Sequence, residues 1–530
     1  MRYRIFVLLA AGLVLGELAF RESSSGASPV SFVPAWAARP APRPAAFAEA
    51  ATLRGVVLDH ETGRPLSRTR VTVQAVAGSG GEDQSVLTGR YGDFSFLSLP
   101  GGVYILTAFR PGFAPLRYGQ KAWNAAAQPL TLEAGGNEYL QLRLRRLGAI
   151  TGTIWDENEI GFPGVEVAAY RNTRPPRFVA KAKADDRGMF RIGLLEPGDY
   201  LVRSAAVDVP GDAGLLPTFF KEVATVEEAA PVAVHLGEET KDVSFQPNFG
   251  RVYRFRGKIV PPGPAELDLV SDMGRRQTST DFEGNFSFEQ LAPGEYELEG
   301  SASGGARAAS IWERVIIDKD IEGYVVQAAY VPVMDLAVDN AQVDRRALSV
   351  VVRRKGLDGV GKPRTVTKWP TSLSPGRWEF HVKPPPGYWV SGLDGPLVDR
   401  VGQRGDPSGW NELVLRGWYR ETFRVKLSPR PASLQGRVTG PGSSPSVGAP
   451  VFVERFDPET GKRLVDLLVS RTDVQGRFAF PELPPGRYRV LSTFDLEDPT
   501  EEQMAAARPK LVSVGEGDDV TEELSLFVLP

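Results

Sequence analysis

The chain has 530 residues, more than a single hydrophobic core organises, so several domains are expected. Hydrophobic (42%) and charged (24%) contents are those of globular protein and exclude global disorder. Lys plus Arg (62) nearly balances Asp plus Glu (65), so no basic field exists to draw nucleic acid or an anionic membrane surface, and the absence of cysteine excludes disulfides, Cys-ligated zinc and thiol catalysis.

In chain order, the first feature is Arg2 and Arg4 ahead of the apolar run Ile5–Leu15, which Glu17 interrupts. This is the pattern of a secretory signal, and it is shorter than the roughly 20 apolar residues of a spanning helix. Residues 1–37, ending at the small-x-small triplet Ala35-Trp36-Ala37, are therefore expected to be a signal peptide or a retained N-terminal anchor. Residues 38–50, rich in Ala and Pro, read as a linker.

From residue 51 onward one pattern recurs. In TGRYGDFSFLSLPGGVY, Gly92 is followed by Phe94, Phe96, Leu99 and Tyr104. The same offsets run from Gly188 to Tyr200, from Gly284 to Tyr296 and from Gly476 to Tyr488, with Phe or Ile at the second inward position. A worn repeat fits PGRWEFHVKPPPGYW, where Gly376 precedes Trp378, Phe380 and Tyr388. On that alignment successive tyrosines lie 96, 96, 92 and 100 residues apart. Four repeats open with an apolar-x-Gly-x-apolar strand, as in Leu53-Arg54-Gly55-Val56-Val57, and each closes with two alternating apolar segments around a turn. Period-two alternation in short runs between turns predicts half-buried strands. The expected fold is all-β: five tandem Ig-like or transthyretin-like antiparallel β-sandwiches, at 51–146, 147–249, 250–332, 333–429 (Trp-rich and degenerate) and 430–530. Little helix is expected beyond single turns near Glu501–Ala507 and Val226–Ala230.

The signature has a turn chemistry. An Asp at the start of Asp-x-x-Gly accepts backbone N–H groups of its own turn, and Gly at the fourth position tolerates positive φ. Pro-Gly suits a second tight turn, and Phe, Leu and Tyr fill the core. Asp185/Gly188, Asp281/Gly284 and Asp473/Gly476 are thus read as structural turns. The rival reading, a cation site, fails on donor number: one carboxylate per repeat falls short of the six to eight oxygens calcium takes.

These residues resemble the carboxypeptidase regulatory-like domain, a transthyretin-like β-sandwich grouped with carbohydrate-binding-like folds. Thr472 to Val490 matches the signature almost throughout, Thr280 to Leu298 and Ala184 to Val202 match well, and Thr88 to Leu106 lacks the Asp. The resemblance extends to tandem-repeat exported proteins of acidobacterial type. It implies a non-catalytic accessory or interaction module and supplies no catalytic residue.

Enzyme signatures are weak. His235-Leu236-Gly237-Glu238 with His381 mimics a zinc peptidase ligand set, but the first falls in a predicted turn and the second in a strand. Gly356 to Lys362 resembles a phosphate loop, yet Pro363 stands where the magnesium-binding hydroxyl belongs. No catalytic, cofactor or metal residues are therefore assigned. The remaining candidates for ligand binding are Trp389, Trp410 and Trp418 of the fourth repeat, where exposed rings would stack on sugars or a protein. The sequence points to a non-enzymatic exported protein acting as a structural spacer, adhesion or interaction module at the cell envelope, whether periplasmic, cell-surface or extracellular. Its partner would be an envelope protein or polysaccharide, with membrane contact only through the N-terminal segment. A carbohydrate-binding protein reading through the fourth repeat, and an accessory to an exported peptidase, are the alternatives.

Overall fold

The computed structural model describes residues 50–529, apart from 174–175, 208–212, 273, 303–308, 396–405 and 417–419. The proposed signal segment and nearly all of the proposed linker lie outside the described residues. From Ala51 onward the regular structure is almost entirely strand; helix Glu501–Ala506, capped by Thr500 and Gln503, and two 3-10 turns are the short exceptions among the described residues. The segment near Val226 forms a hydrogen-bonded turn instead of helix.

The first sandwich shows how sequence sets topology. Its strands are β1 (Ala51–Asp59), β2 (Arg70–Ala75), β3 (Gln84–Leu87), β4 (Asp93–Leu99), β5 (Gly102–Phe109), β6 (Leu116–Arg117), β7 (Pro129–Leu132) and β8 (Asn137–Leu144). One sheet has the order β4-β1-β8; the other runs β3-β2-β5, with β6 and β7 both paired to β5. Alternation in β1 buries Leu53 and Val57, and β4 buries Phe94, Phe96 and Leu99. These residues meet Val71, Val73, Tyr104 and Leu106 from the facing sheet to make one core. Pairing is antiparallel except that β8 runs parallel to β1 over eight residue pairs. Similar parallel pairing of first and last strands recurs in the second, third, fourth and fifth sandwiches.

Four further cores follow, drawing on residues within 150–245, 253–328, 334–427 and 432–526. In the regular sandwiches a glycine sits mid-way along the first strand for a packing reason. A Cβ on Gly55 would stand 2.1 Å from the Leu140 carbonyl oxygen and 2.6 Å from the Phe94 ring. On Gly436 it would meet the Glu522 carbonyl oxygen at 1.8 Å and Phe478 at 2.9 Å. The first Phe of the signature lies over this glycine, so the two positions are coupled.

A second regularity explains the odd spacing of the signature. Phe at +2 and +4 share a face, whereas Leu at +7 belongs to the opposite face of an unbroken strand. The register shifts between these positions in the first, second, third and fifth sandwiches, and the extra residue turns Leu99, Leu195, Leu291 and Leu483 inward. In three of these the residue before Leu has positive φ: Leu194, Gln290 and Glu482.

The fourth sandwich corrects the sequence alignment. Strand Gly376–Lys383 does not pair with the first strand, as the Phe strands elsewhere do. It lies between Ser349–Gly356 and Asn411–Leu415, in the place that the Tyr strand holds in the other sandwiches. Pro375-Gly376-Arg377-Trp378 therefore matches Pro485-Gly486-Arg487-Tyr488, and buried Leu373 matches Leu483. The Phe strand has shrunk to Thr371–Ser372. Tyr388 instead opens an added strand, Tyr388–Asp394, paired with the last strand Arg420–Pro429. The inward position in the middle of the first strand carries Leu336, buried in the core, where no signature Phe needs room.

Candidate functional site

The signature turns come first, because their carboxylates are the most site-like groups in the sequence. Asp473 Oδ1 accepts the backbone N–H groups of Gln475 and Arg477, each at 2.8 Å, and Oδ2 accepts Arg477 Nε at 2.8 Å. Asp281 Oδ1 accepts from Glu283 and Asn285 N–H groups at 2.9 and 2.8 Å, and Oδ2 accepts Asn285 Nδ2. Asp185 accepts from Arg187 and Met189 in the same way. Gly188, Gly284 and Gly476 close these turns with φ of 73°, 85° and 75°. Burial works to raise the pKa of Asp473, but the hydrogen bonds from Arg477 and Gln475 outweigh it and hold the carboxyl below its usual range.

The Thr ahead of the Asp also has a role, which the sequence reading passed over. Buried Thr472 donates from Oγ1 to the Ser446 carbonyl and accepts the Ala449 N–H, stitching the turn to the start of strand Pro450–Arg455. Thr88 and Thr280 make the equivalent two bonds. The second sandwich has Ala184 at this point.

The signature Tyr is equally structural. Tyr104, Tyr200, Tyr296 and Tyr488 each donate from the hydroxyl to the carbonyl four residues back. Trp378 reproduces this with Nε1, which donates to the Ser374 carbonyl at 3.0 Å. An indole thus replaces a phenol while keeping the same backbone acceptor.

The tryptophan candidates occupy different surroundings. Trp389 alternates with Tyr388 and Val390 of the core side, so it stands on the outer face of one sheet, half-buried, with its Nε1 shielded and unbonded. Trp410 borders the outer face of the other sheet. The Arg353 guanidinium lies 3.8 Å from its ring centre, the His381 ring 5.6 Å away, and its Nε1 donates to Asp466 of the fifth sandwich at 3.2 Å. The structure therefore does not bring Trp389 and Trp410 into one strip, because they border opposite sheets; Trp418 lies outside the described residues. Burial lowers the His381 pKa, with Asp466 opposing.

The weak enzyme signatures separate in space. His235 opens the turn His235–Glu238 in the second sandwich, whose Gly237 N–H donates to Arg146 at the end of the first. His381 lies in the fourth sandwich at the Trp410 contact. Gly356 pairs with Gly359 in a tight hairpin. Among the described residues no group of three or more His, Cys, Asp or Glu side chains is arranged to hold a metal.

Side-chain ion pairs also mark the joints between sandwiches. The second and third meet through Arg203–Asp272 beside a cleft of about 530 Å³. The third and fourth meet through Arg354–Glu299 at 2.5 Å. At the fourth and fifth, Arg455 grips Asp406 at 2.6 Å and also the Pro485 carbonyl. The fifth sandwich also contacts the first: Val474 N–H donates to the Ala77 carbonyl at 3.0 Å, and Ala126 N–H to the Phe494 carbonyl at 2.9 Å. Contacts thus run from each sandwich to the next and from the last back to the first.

Residues 52–145 match the family model described as the carboxypeptidase regulatory-like domain. The match covers the first sandwich, and the other four repeat its sheets with the variations above. No curated protein matches the chain. Among solved structures, the Bacillus anthracis TIE protein aligns at 17% identity over 53% of this chain and 51% of its own, with a TM-score of 0.19. The matched region thus spans about half the length of that structure. The minor pilin of Streptococcus agalactiae aligns at 14% identity over 37% of this chain and 95% of its own, with a TM-score of 0.24. The major pilin subunit of Bacillus cereus aligns at 13% identity over 72% of this chain and 99% of its own, with a TM-score of 0.15.

Proposed function

We propose that the chain is a non-enzymatic, exported structural module that spaces or joins components of the cell envelope. The observation that carries this reading is the fate of the signature. Its Asp, Thr and Tyr polar groups are consumed by hydrogen bonds within their own sandwich, and its Phe and Leu by the cores. The most repeated residues of the chain thus build scaffold, and ion pairs join neighbouring sandwiches to one another. Export rests on the basic and apolar start of the sequence, Arg2 to Leu15. The partner class is an envelope protein or polysaccharide.

The test is to present the purified full chain with peptide, ester and glycan panels, with and without zinc, alongside immobilised envelope proteins and polysaccharides. Retention without turnover is the expected result. Zinc-dependent peptide turnover that disappears in His235→Ala would overturn the reading.

A further inference from the structure

The contact between the first and fifth sandwiches is built like an interface between two proteins. At its centre Val76, Ile105 and Ala127 of the first sandwich, all buried, pack with Val447 and Val474 of the fifth. Three backbone hydrogen bonds cross it: Val474 to Ala77, Ala126 to Phe494, and Glu497 to Asn124. The ion pairs that cross it run one way, cation to carboxylate. The first sandwich supplies Arg117 and Lys121; the fifth supplies Glu497 at 3.1 Å and Asp495 at 2.9 Å. Arg471 adds a contact to Glu497 from within the fifth sandwich. An apolar centre, a polar rim and complementary charge are the anatomy of a specific interface.

The two faces differ from each other, and every chain carries both. Such a head-to-tail contact closes within one molecule or links one molecule to the next by exchange of the same surfaces. We infer that the seam between the first and fifth sandwiches is an exchangeable interface, whose second partner is another copy of this chain presenting its own fifth sandwich to the first. Closure within the chain dominates in dilute solution, where the tethered sandwich is at high effective concentration. Linkage between copies takes over when chains are crowded or fixed side by side.

The cysteine-free sequence makes the test clean. The Val474–Ala77 hydrogen bond brings the two backbones together, and a Cβ on Gly78 would stand 2.9 Å from Val474 Cγ2, so cysteines at positions 78 and 474 lie within disulfide reach. In the full chain carrying Gly78→Cys and Val474→Cys together, oxidation of a dilute sample gives an intramolecular crosslink, seen as faster migration in a denaturing gel. For exchange, one variant carries Arg117→Glu, Lys121→Glu and Gly78→Cys; the other carries Asp495→Lys, Glu497→Lys and Val474→Cys. Each alone presents like charges across its own seam, whereas the mixture pairs opposite charges between copies. The mixture is expected to yield about tenfold more crosslinked heterodimer than the same cysteines without charge reversal, as two rim ion pairs turn from repulsion to attraction. Absence of the intramolecular crosslink overturns the seam itself. Presence of that crosslink with no heterodimer in the mixture, at any concentration, overturns exchange.

Discussion

In the fifth sandwich the ring that plugs the core is Tyr488; in the fourth it is Trp378. Both sit two residues after a Pro-Gly-initiated turn glycine, and both donate to the carbonyl four residues back. Around them the sandwiches diverge. The fifth keeps a full Phe strand over Gly436, while the fourth has Thr371–Ser372 there, Leu336 on its first strand and an added strand at the far edge. What is retained is a geometric role, an inward ring tethered to its own turn. The residue types that advertise the role are free to change when volume is made up elsewhere.

The largest expected effect in this comparison is from Gly436→Val. A side chain there drives into the Glu522 carbonyl and the Phe478 ring, and should cost the fifth sandwich at least about 3 kcal/mol. Hydrogen exchange read peptide by peptide should show that loss in strands Ala432–Thr439 and Asp519–Ser525, with the fourth sandwich unchanged. Next is Thr472→Val, which leaves the buried Ala449 N–H and Ser446 carbonyl unpaired and should cost about 1–3 kcal/mol by the same measurement. A neutral result would mean the bridging hydroxyl is dispensable, as its absence at Ala184 hints for the second sandwich. Tyr488→Phe and Trp378→Phe each remove the bond to the backbone; the first should cost about 1 kcal/mol, the second more because it also shrinks the ring. Equal costs would break the proposed equivalence of the two positions.

The smallest effect is electrostatic. Asp473 has a folded pKa held below its unfolded value, so its contribution is present above the unfolded value and is lost as pH falls through the folded one. The stability gap between the native chain and Asp473→Asn should therefore be constant near neutrality and close progressively below about pH 4. A gap that persists to pH 2 would assign the effect to geometry alone.

Four of the five signatures could be read from sequence because their residues are local: one turn, one strand, a second turn and the next strand. The fourth was misphased because Gly376, followed by Trp378 and Phe380, imitates the Gly-x-Phe-x-Phe half. The intact half, Leu373 through Pro375-Gly376 to Trp378, was the reliable guide, since it carries the bulge-turned Leu and the tethered ring. The Gly–Phe coupling and the odd offset of Leu became intelligible only with strand register. Trp410 showed no local sign of facing Asp466, and the seam joining Arg117 and Lys121 to Asp495 and Glu497 has no sequence pattern at all. Such contacts depend on how whole sandwiches dock.

The parallel pairing of first and last strands has a mechanical consequence. Because Ser433–Thr439 and Asp519–Ser525 run the same way side by side, the chain enters the fifth sandwich at one end and leaves at the other. Tension applied to the two ends slides these strands along each other and loads all their hydrogen bonds together, instead of peeling them one at a time. Pulling single molecules by their ends should therefore give discrete high-force rupture events for the sandwiches with long parallel ladders and a weaker one for the second, whose ladder spans two residue pairs, and a smooth low-force extension would contradict the parallel clamp.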